Sequence, residues 1–569
     1  MSSEFSSIGT NTAARFSLKL HRGEGAVLLA MNWHAEFPPM DFVGFAIEYR
    51  EPGSEIFYSV KNRLAFRQVD LQLNPNALSS LQSPIQKFRW VHFPRNADLT
   101  GDFTYRITPV FMNPEGQLSY GEAQLAGVEL RRETFPGEMN VAFTRGFVSS
   151  QAFVDKYGKF GEISTLLPNN SQNGLTFKPS HPKADEAMGW MGFEARTAIL
   201  DVLDKAVEDK EAQVRVIAYD LDLPEVVERL EKLGPRLTII IDDSSGHDGP
   251  SAEETLAENR LLQTAGASNV KRQHVLGLQH NKLIVINSPT NKYVVCGSTN
   301  FSWRGFYVQS NNAVILTGSD AVNTFGKAFD DYLKIPTSKF KESTSANWTE
   351  LAFSNLKLGV SFSPHGRTNM RLDEIAHDIV NGTSSSLFYS LAFLSQTPGP
   401  VREAIGAVTN NKQCFVYGIS DREVGGLDVQ LPNGNVAPVH PEALKKNAPA
   451  PFSEESAGGG GVRMHHKFIV IDFDKPTARV YLGSHNFSSA ADKDNGENLL
   501  LIKDRRVATA YMVEALRLFD HYHFRITQAN SATAKKELTL ARPPKSGEKP
   551  WWHDDYNSPR KIMDRKLFA

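Results

Sequence analysis

Two blocks of the chain pair residues able to move protons and hold an oxyanion. The first runs His280-Asn-Lys282-Leu-Ile-Val-Ile-Asn287, followed by Val294-Val-Cys-Gly-Ser-Thr-Asn-Phe-Ser302. The second runs His465-His-Lys467-Phe-Ile-Val-Ile-Asp472, followed by Val480-Tyr-Leu-Gly-Ser-His-Asn-Phe-Ser488. From the His to the Gly is 17 residues in one block (280 to 297) and 18 in the other (465 to 483). His and Lys two apart at the start of a strand share one face, and the second strand delivers Ser and Asn two apart. A small Gly ahead of the Ser lets backbones approach closely. Cleaving a phosphodiester needs a nucleophile, a proton for the leaving oxygen and donors for the non-bridging oxygens. Two imidazoles, His280 and His465, can divide the first two tasks, because a pKa near neutrality permits either protonation state. Lys282, Lys467, Asn300 and Asn486 suit the phosphate oxygens, and Ser298 and Ser484 orient their neighbours.

This duplication resembles the phospholipase D superfamily, whose hallmark is H-x-K-x4-D followed by G-S-x-N. The resemblance spans about residues 140–525. It implies two homologous α/β lobes forming one pseudo-symmetric core, one shared site, and reaction through a covalent phosphohistidine with neither metal nor cofactor. The family commonly orients a catalytic His with a downstream carboxylate, which Glu497 matches in the second copy. The first copy departs from the pattern: Asn287 replaces the motif Asp, which is Asp472 in the second, and Asn311 stands at the Glu position, with Gln309 two residues earlier. An amide fixes an imidazole tautomer but does not stabilise imidazolium as a carboxylate does. The expectation is therefore a neutral His280 that attacks phosphorus, and a protonated His465, paired with Glu497, that serves as general acid and then as base. A similar amide and carboxylate split occurs in tyrosyl-DNA phosphodiesterase-like members. The competing reading is a first copy partly decayed, leaving a weak enzyme or a binding protein.

Strand and helix patterns must place these blocks. Residues 1–135 read as an all-β sandwich resembling fibronectin type III, with Val43, Phe45, Ile47 and Tyr49 as one inward row, then Phe88 and Trp90, then Phe103, Tyr105 and Ile107. Residues 136–345 and 346–530 read as the two lobes. Ala195, Ile199, Val202, Leu203 and Ala206 form one helix face, and the strand-helix-strand order around Val214–Tyr219 and Leu237–Ile241 predicts a mainly parallel sheet. The order recurs through Ser386–Leu394, a helix from Pro400, Cys414–Tyr417 and a helix over Val507–Phe519. Between them, residues 424–461 read as a long irregular loop. The tail, 531–569, carries nine Lys and Arg against five Asp and Glu, with Trp551, Trp552 and Tyr556, and is expected to pack along the catalytic core.

Composition narrows the setting. The 569 residues include 62 Lys plus Arg and 64 Asp plus Glu, a net charge of −2, which argues against coating nucleic acid by bulk charge. Two cysteines exclude a disulfide framework, and with no signal-peptide pattern the expectation is a cytoplasmic protein. Cys296 reads as a buried filler. His465 and His466 point to opposite faces of a strand, so with His485 they do not read as a metal cluster. No stretch of 18 apolar residues spans a bilayer, which leaves peripheral membrane contact open and disfavours a cardiolipin-type synthase. The expected function is a phosphodiesterase hydrolysing or transferring phosphodiesters, with phospholipid favoured as substrate. A nuclease or nucleic-acid end-processing enzyme, and a scaffold whose N-terminal sandwich docks a protein partner, are the alternatives.

Overall fold

The structure, a computed structural model, describes residues 5–67, 78–130, 133–146, 150–168, 173–420, 464–533 and 538–569. The loop expected over 424–461 lies outside them. The chain forms two compact units, one gathering Met1–Arg132 and Thr509–Ala569, the other Glu133–Asp428 and Pro438–Ala508.

The first unit holds two antiparallel sheets. One orders Ser6–Ile8, Phe16–Arg22, Val27–Trp33 and Arg89–His92; the other orders Tyr58–Ser59, Phe42–Arg50, Asp102–Met112 and Leu118–Tyr120, with Gln124–Glu129 also paired to Asp102–Met112. Phe103, Tyr105 and Ile107 alternate inward, as period two requires, into a core shared with Phe16, Leu18, Leu20 and Trp33 of the other sheet. The expected row on Phe42–Arg50 is broken. The register shifts between Phe42 and Gly44, so Phe42 joins Phe45, Ile47 and Tyr49 in that core while Val43 turns to a separate cluster with Ala46, Val110 and Met112.

The tail also departs from expectation. Trp552 and Tyr556 enter the core of this first unit, not the α/β core, and the indole N–H of Trp551 donates to the Phe42 carbonyl at 2.9 Å. Arg89 secures it further, donating to Asp564 at 2.8 Å, and also donates to Asp520 of the helix Arg505–Thr533 at 2.6 Å. Aromatics this dense favour burial, and here Trp551 stacks on Phe88 with ring centroids 5.3 Å apart.

The second unit contains two seven-stranded sheets. The first orders Met139–Phe143, Asn312–Thr317, Lys292–Gly297, Leu283–Asn287, Gln213–Ala218, Leu237–Ile241 and Val270–Arg272. The second orders Thr349–Ala352, Lys357–Ser363, Glu497–Lys503, Arg479–Gly483, Lys467–Ile471, Ser386–Leu391 and Phe415–Ile419. Each histidine block therefore feeds the fourth or fifth strand of its sheet, with its Gly-Ser-x-Asn strand alongside. Both sheets are mixed, and the expectation of mainly parallel pairing fails. Leu283–Asn287 and Lys292–Gly297 are joined by a four-residue turn, which permits only antiparallel pairing. Parallel pairs survive where helices make the crossover, as Pro224–Leu233 does between Gln213–Ala218 and Leu237–Ile241. The predicted face of Ala195, Ile199, Val202, Leu203 and Ala206 is buried on the helix Ala184–Glu208.

Candidate active site

Two short parallel bridges join the lobes, and they decide which residues meet. Gln279 pairs with Gly496, whose N–H donates to the Leu278 carbonyl at 2.8 Å. Met464 pairs with Ser310, whose carbonyl accepts from the His465 N–H at 3.0 Å. Each bridge sets the residue just before a histidine against the residue just before the other lobe's orienting group. Glu497 thereby lands on His280 and Asn311 on His465.

The expected pairing of His465 with Glu497 is corrected by this geometry. His280 donates from Nδ1 to the Glu497 carboxylate, 2.8 and 2.9 Å from its two oxygens. His465 donates from Nδ1 to Asn311 Oδ1 at 2.8 Å. Proximity along the chain suggested pairing within a lobe, but the strand beginning at Glu497 starts at the seam, so its first side chain serves the opposite histidine. The Asn311 amide is locked in one orientation: its Nδ2 donates to the Gly305 carbonyl at 2.9 Å, and Oδ1 also accepts from Ser298 Oγ at 2.9 Å. Gln309 stands second to it, 3.4 Å from Nδ2.

The two serines each brace a neighbouring strand. Ser298 Oγ accepts from the Asn312 N–H and Ser484 Oγ from the Asn498 N–H, both at 3.0 Å. The preceding glycines make room for this. Gly483 has φ of 144°, and a Cβ there would lie 2.2 Å from the Asn498 carbonyl oxygen.

Charge at the centre is concentrated and dry. His280, His465, Lys282 and Lys467 are each at most 4% exposed. Burial lowers the His280 pKa, with Glu497 pulling against it. Burial, then the ammonium groups of Lys467 and Lys282, holds His465 well below its ordinary value. Lys467 donates to His465 Nε2 at 2.9 Å, which requires the neutral ring with its proton on Nδ1. Burial also depresses both lysines, Lys282 to about 8 and Lys467 strongly. Glu497 stays charged, because His280 and Lys282 outweigh its desolvation. The pocket thus holds more positive character than it can keep fully protonated, and a bound anion would relieve it. Asn300 and Asn486 each present a buried side-chain oxygen with no hydrogen-bond partner among the described residues.

The motif Asp does other work. Asp472 accepts from the Ser384, Ser385 and Ser386 N–H groups and pins the entry to the strand Ser386–Leu391. In the first lobe the polarity is reversed: Asp209 on the loop accepts from Ser288 Oγ, next to Asn287, at 2.6 Å. The Asn287 departure therefore lies away from the histidines.

Several residues at the site escaped the sequence reading. Tyr219 places its ring 4.6 Å from that of His280, and Lys282 Nζ lies 4.6 Å from the Tyr219 centroid. Asp220 accepts from Asn300 Nδ2 at 2.5 Å, and Arg304 acts electrostatically on both Asp220 and His465. The available signal was positional, since Tyr219 and Asp220 follow the carboxyl end of an α/β strand, where ligand groups gather. Asp220, His247 and Glu254 bring ligand atoms within 4.8 Å of one another, the one such group among the described residues. His466 packs on Phe143 and Phe468, while His485 and His365 share Asp492, at 3.7 and 2.6 Å. Cys296 is buried, with its thiol pKa pushed up by desolvation.

The sequence profile of the family described as "Cardiolipin synthase, PLD-like domain" matches residues 197–333 and 421–519, taking in both histidine blocks. Over both of these segments the chain is similar to the phospholipase D superfamily. Over 48 residues it is 48% identical to a "Phospholipase D" of Rickettsia felis, a match covering 8% of this chain and 22% of that protein. The chain thus spans about a fifth of the length of the curated relatives it matches. A solved phosphatidylserine synthase of Haemophilus influenzae is 14% identical, with a TM-score of 0.40, over 66% of this chain and 93% of that one. The family member Nuc from Salmonella typhimurium is 23% identical, with a TM-score of 0.21, over 24% of this chain and 86% of its own. Among the described residues, no helix is long and apolar enough to cross a membrane.

Proposed function

We propose that the chain is a phosphodiesterase that cleaves or transfers phosphodiesters through a phosphohistidine on His280. The reading is carried by the crossed convergence of two His-Lys pairs, each histidine oriented by the opposite lobe, with the lobes acting as pseudo-symmetric halves. The His280 Nε2 lone pair attacks phosphorus and forms a P–N bond as the bond to the leaving oxygen breaks. Glu497 stabilises the positive charge the ring then carries. Lys282, Lys467, Asn300 and Asn486 hold the non-bridging oxygens. Anion binding offsets the burial and the ammonium repulsion that keep His465 neutral, so the ring takes up a proton from solvent and delivers it to the leaving oxygen. His465 then removes a proton from water or an alcohol, whose oxygen attacks phosphorus and returns the bonding pair to His280. The amide partner suits this acid, since Asn311 orients His465 without tightening its hold on the proton.

Phospholipid is the favoured substrate, supported by the near-zero net charge and by the segment shared with phospholipase D. The test is a panel of phosphatidylcholine, phosphatidylglycerol, single-stranded DNA, duplex DNA and a chromogenic diester, run in EDTA. Turnover of the chromogenic diester and a phospholipid is expected, lost in both His280→Ala and His465→Ala. Turnover surviving either substitution contradicts the mechanism, and DNA cleavage without lipid turnover contradicts the substrate.

A further inference from the structure

The two halves of the phosphate cradle are built differently, and the difference centres on one carboxylate. In register, Ile217 pairs with Leu283 in the first lobe and Ser390 with Phe468 in the second. Leu283 and Phe468 follow the two motif lysines, so three residues further along Asp220 corresponds to Phe393. Phe393 offers only a ring, 6.2 Å from that of His465 and 5.7 Å from Lys467 Nζ. Asp220 offers a negative charge, bound to Asn300 Nδ2 at 2.5 Å and acting electrostatically on Lys282.

That charge is held in place from behind. His247 Nε2 lies 3.4 Å from Asp220 Oδ1, and its Nδ1 donates to Asp242 Oδ2 at 2.8 Å. Asp242 in turn accepts from the Gln279 N–H at 2.6 Å, the residue immediately before His280. The Tyr219 ring fills the space between the His247 and His280 rings, 4.6 Å from each. Burial opposes a charge on His247, but its two carboxylate partners push its pKa up to about 10. The same histidine, with Lys282 and Arg304, keeps Asp220 ionised against its own desolvation.

We infer that Asp220, seated by His247, is a positioning and specificity residue that fixes Asn300 and Lys282 and admits a singly charged phosphodiester over a doubly charged phosphate. It rests on the phosphodiesterase reading of the site. Two anions, Asp220 and Glu497, already share the field of three cations, Lys282, Lys467 and Arg304, which leaves one positive charge. A diester brings one negative charge to balance what remains. A phosphomonoester or inorganic phosphate brings a second, which must sit in the same buried cradle against the Asp220 carboxylate. Removing that charge at constant shape should therefore loosen the Asn300 clamp and admit the dianion together.

The experiment compares wild type, Asp220→Asn and His247→Gln. Inorganic phosphate binding is measured by calorimetry at pH 8, and bis(4-nitrophenyl) phosphate turnover is followed in parallel. Asp220→Asn should bind phosphate about tenfold more tightly while its diester kcat falls about tenfold with KM little changed, and His247→Gln should shift both in the same directions by less. A merely structural role would weaken both properties together, and that outcome, or an unchanged ratio, overturns the assignment. Phosphate binding requires no turnover, so a wild type inactive on diesters would count against the phosphodiesterase reading and leave the charge test intact. A repeat in EDTA covers the remaining occupant. Phosphate affinity that drops on chelation would show a divalent cation held by Asp220, His247 and Glu254, and would overturn the account in which protonated His247 seats Asp220.

Discussion

Replacing Glu497 with Gln keeps the shape of the side chain that orients His280 and removes its charge. The carboxylate is fully buried and contacts His280 Nδ1 at 2.8 and 2.9 Å, so little solvent screens the pair. Hydrogen bonds to charged groups contribute about 1.5–3 kcal/mol against about 0.5–1.5 for neutral ones, so the loss is about 1–2 kcal/mol. That loss falls on the step in which His280 gains positive charge, which converts to a roughly 5- to 30-fold lower kcat with KM nearly unchanged. The sign for protonation follows: Glu497 is the main influence opposing desolvation at His280, so its removal lowers the His280 pKa further. The assay is steady-state turnover of a chromogenic diester, combined with nitrogen-detected NMR of the imidazoles. The His280 Nδ1 signal should shift in the variant while His465 stays near its wild-type position. A kcat within threefold of wild type, or a shift confined to His465, would refute the crossed pairing.

Three further outcomes follow from the same contacts. Converting Asn311 to Asp gives His465 a carboxylate partner, which should raise its pKa and slow release of poor leaving groups about tenfold while sparing activated nitrophenyl esters; equal effects on both would contradict its role as acid. Phosphate binding should be accompanied by proton uptake near pH 8, because the anion favours the charged form of Lys282, whose pKa is about 8 in the empty site. Calorimetry in buffers of different ionisation enthalpy reads that uptake, and affinity should fall as pH rises above 8. Trp552→Ala opens a cavity in the core of the first unit and should cost about 3–5 kcal/mol in denaturant unfolding of that unit.

The candidate site's groups were legible because their spacing is a local property. His280 with Lys282 and His465 with Lys467 each sit where period two predicts, and Ser298 and Ser484 brace backbone as their place after a glycine suggests. What the spacing lacked was the seam. Glu497 lies nearer in the chain to His465, and only the bridges at Gln279–Gly496 and Ser310–Met464 reveal that it serves His280. Asp220 and His247 were silent for a similar reason, since neither belongs to a repeated block and their meeting depends on the ends of two strands and a loop. In the first unit, alternation gave Phe103, Tyr105 and Ile107 correctly, but one shift at Gly44 moved Val43 to another cluster. Parallel pairing was over-read from element order, because short hairpins look like strand-helix-strand segments once the helices around them are counted.

The most direct measurement is mass spectrometry of His465→Ala rapidly quenched at alkaline pH after mixing with the chromogenic diester. Without His465 to activate water, the covalent intermediate should accumulate from this activated ester, and the phosphoryl adduct should map to His280. An adduct on any other residue, or turnover at wild-type rate with no adduct, would contradict the account.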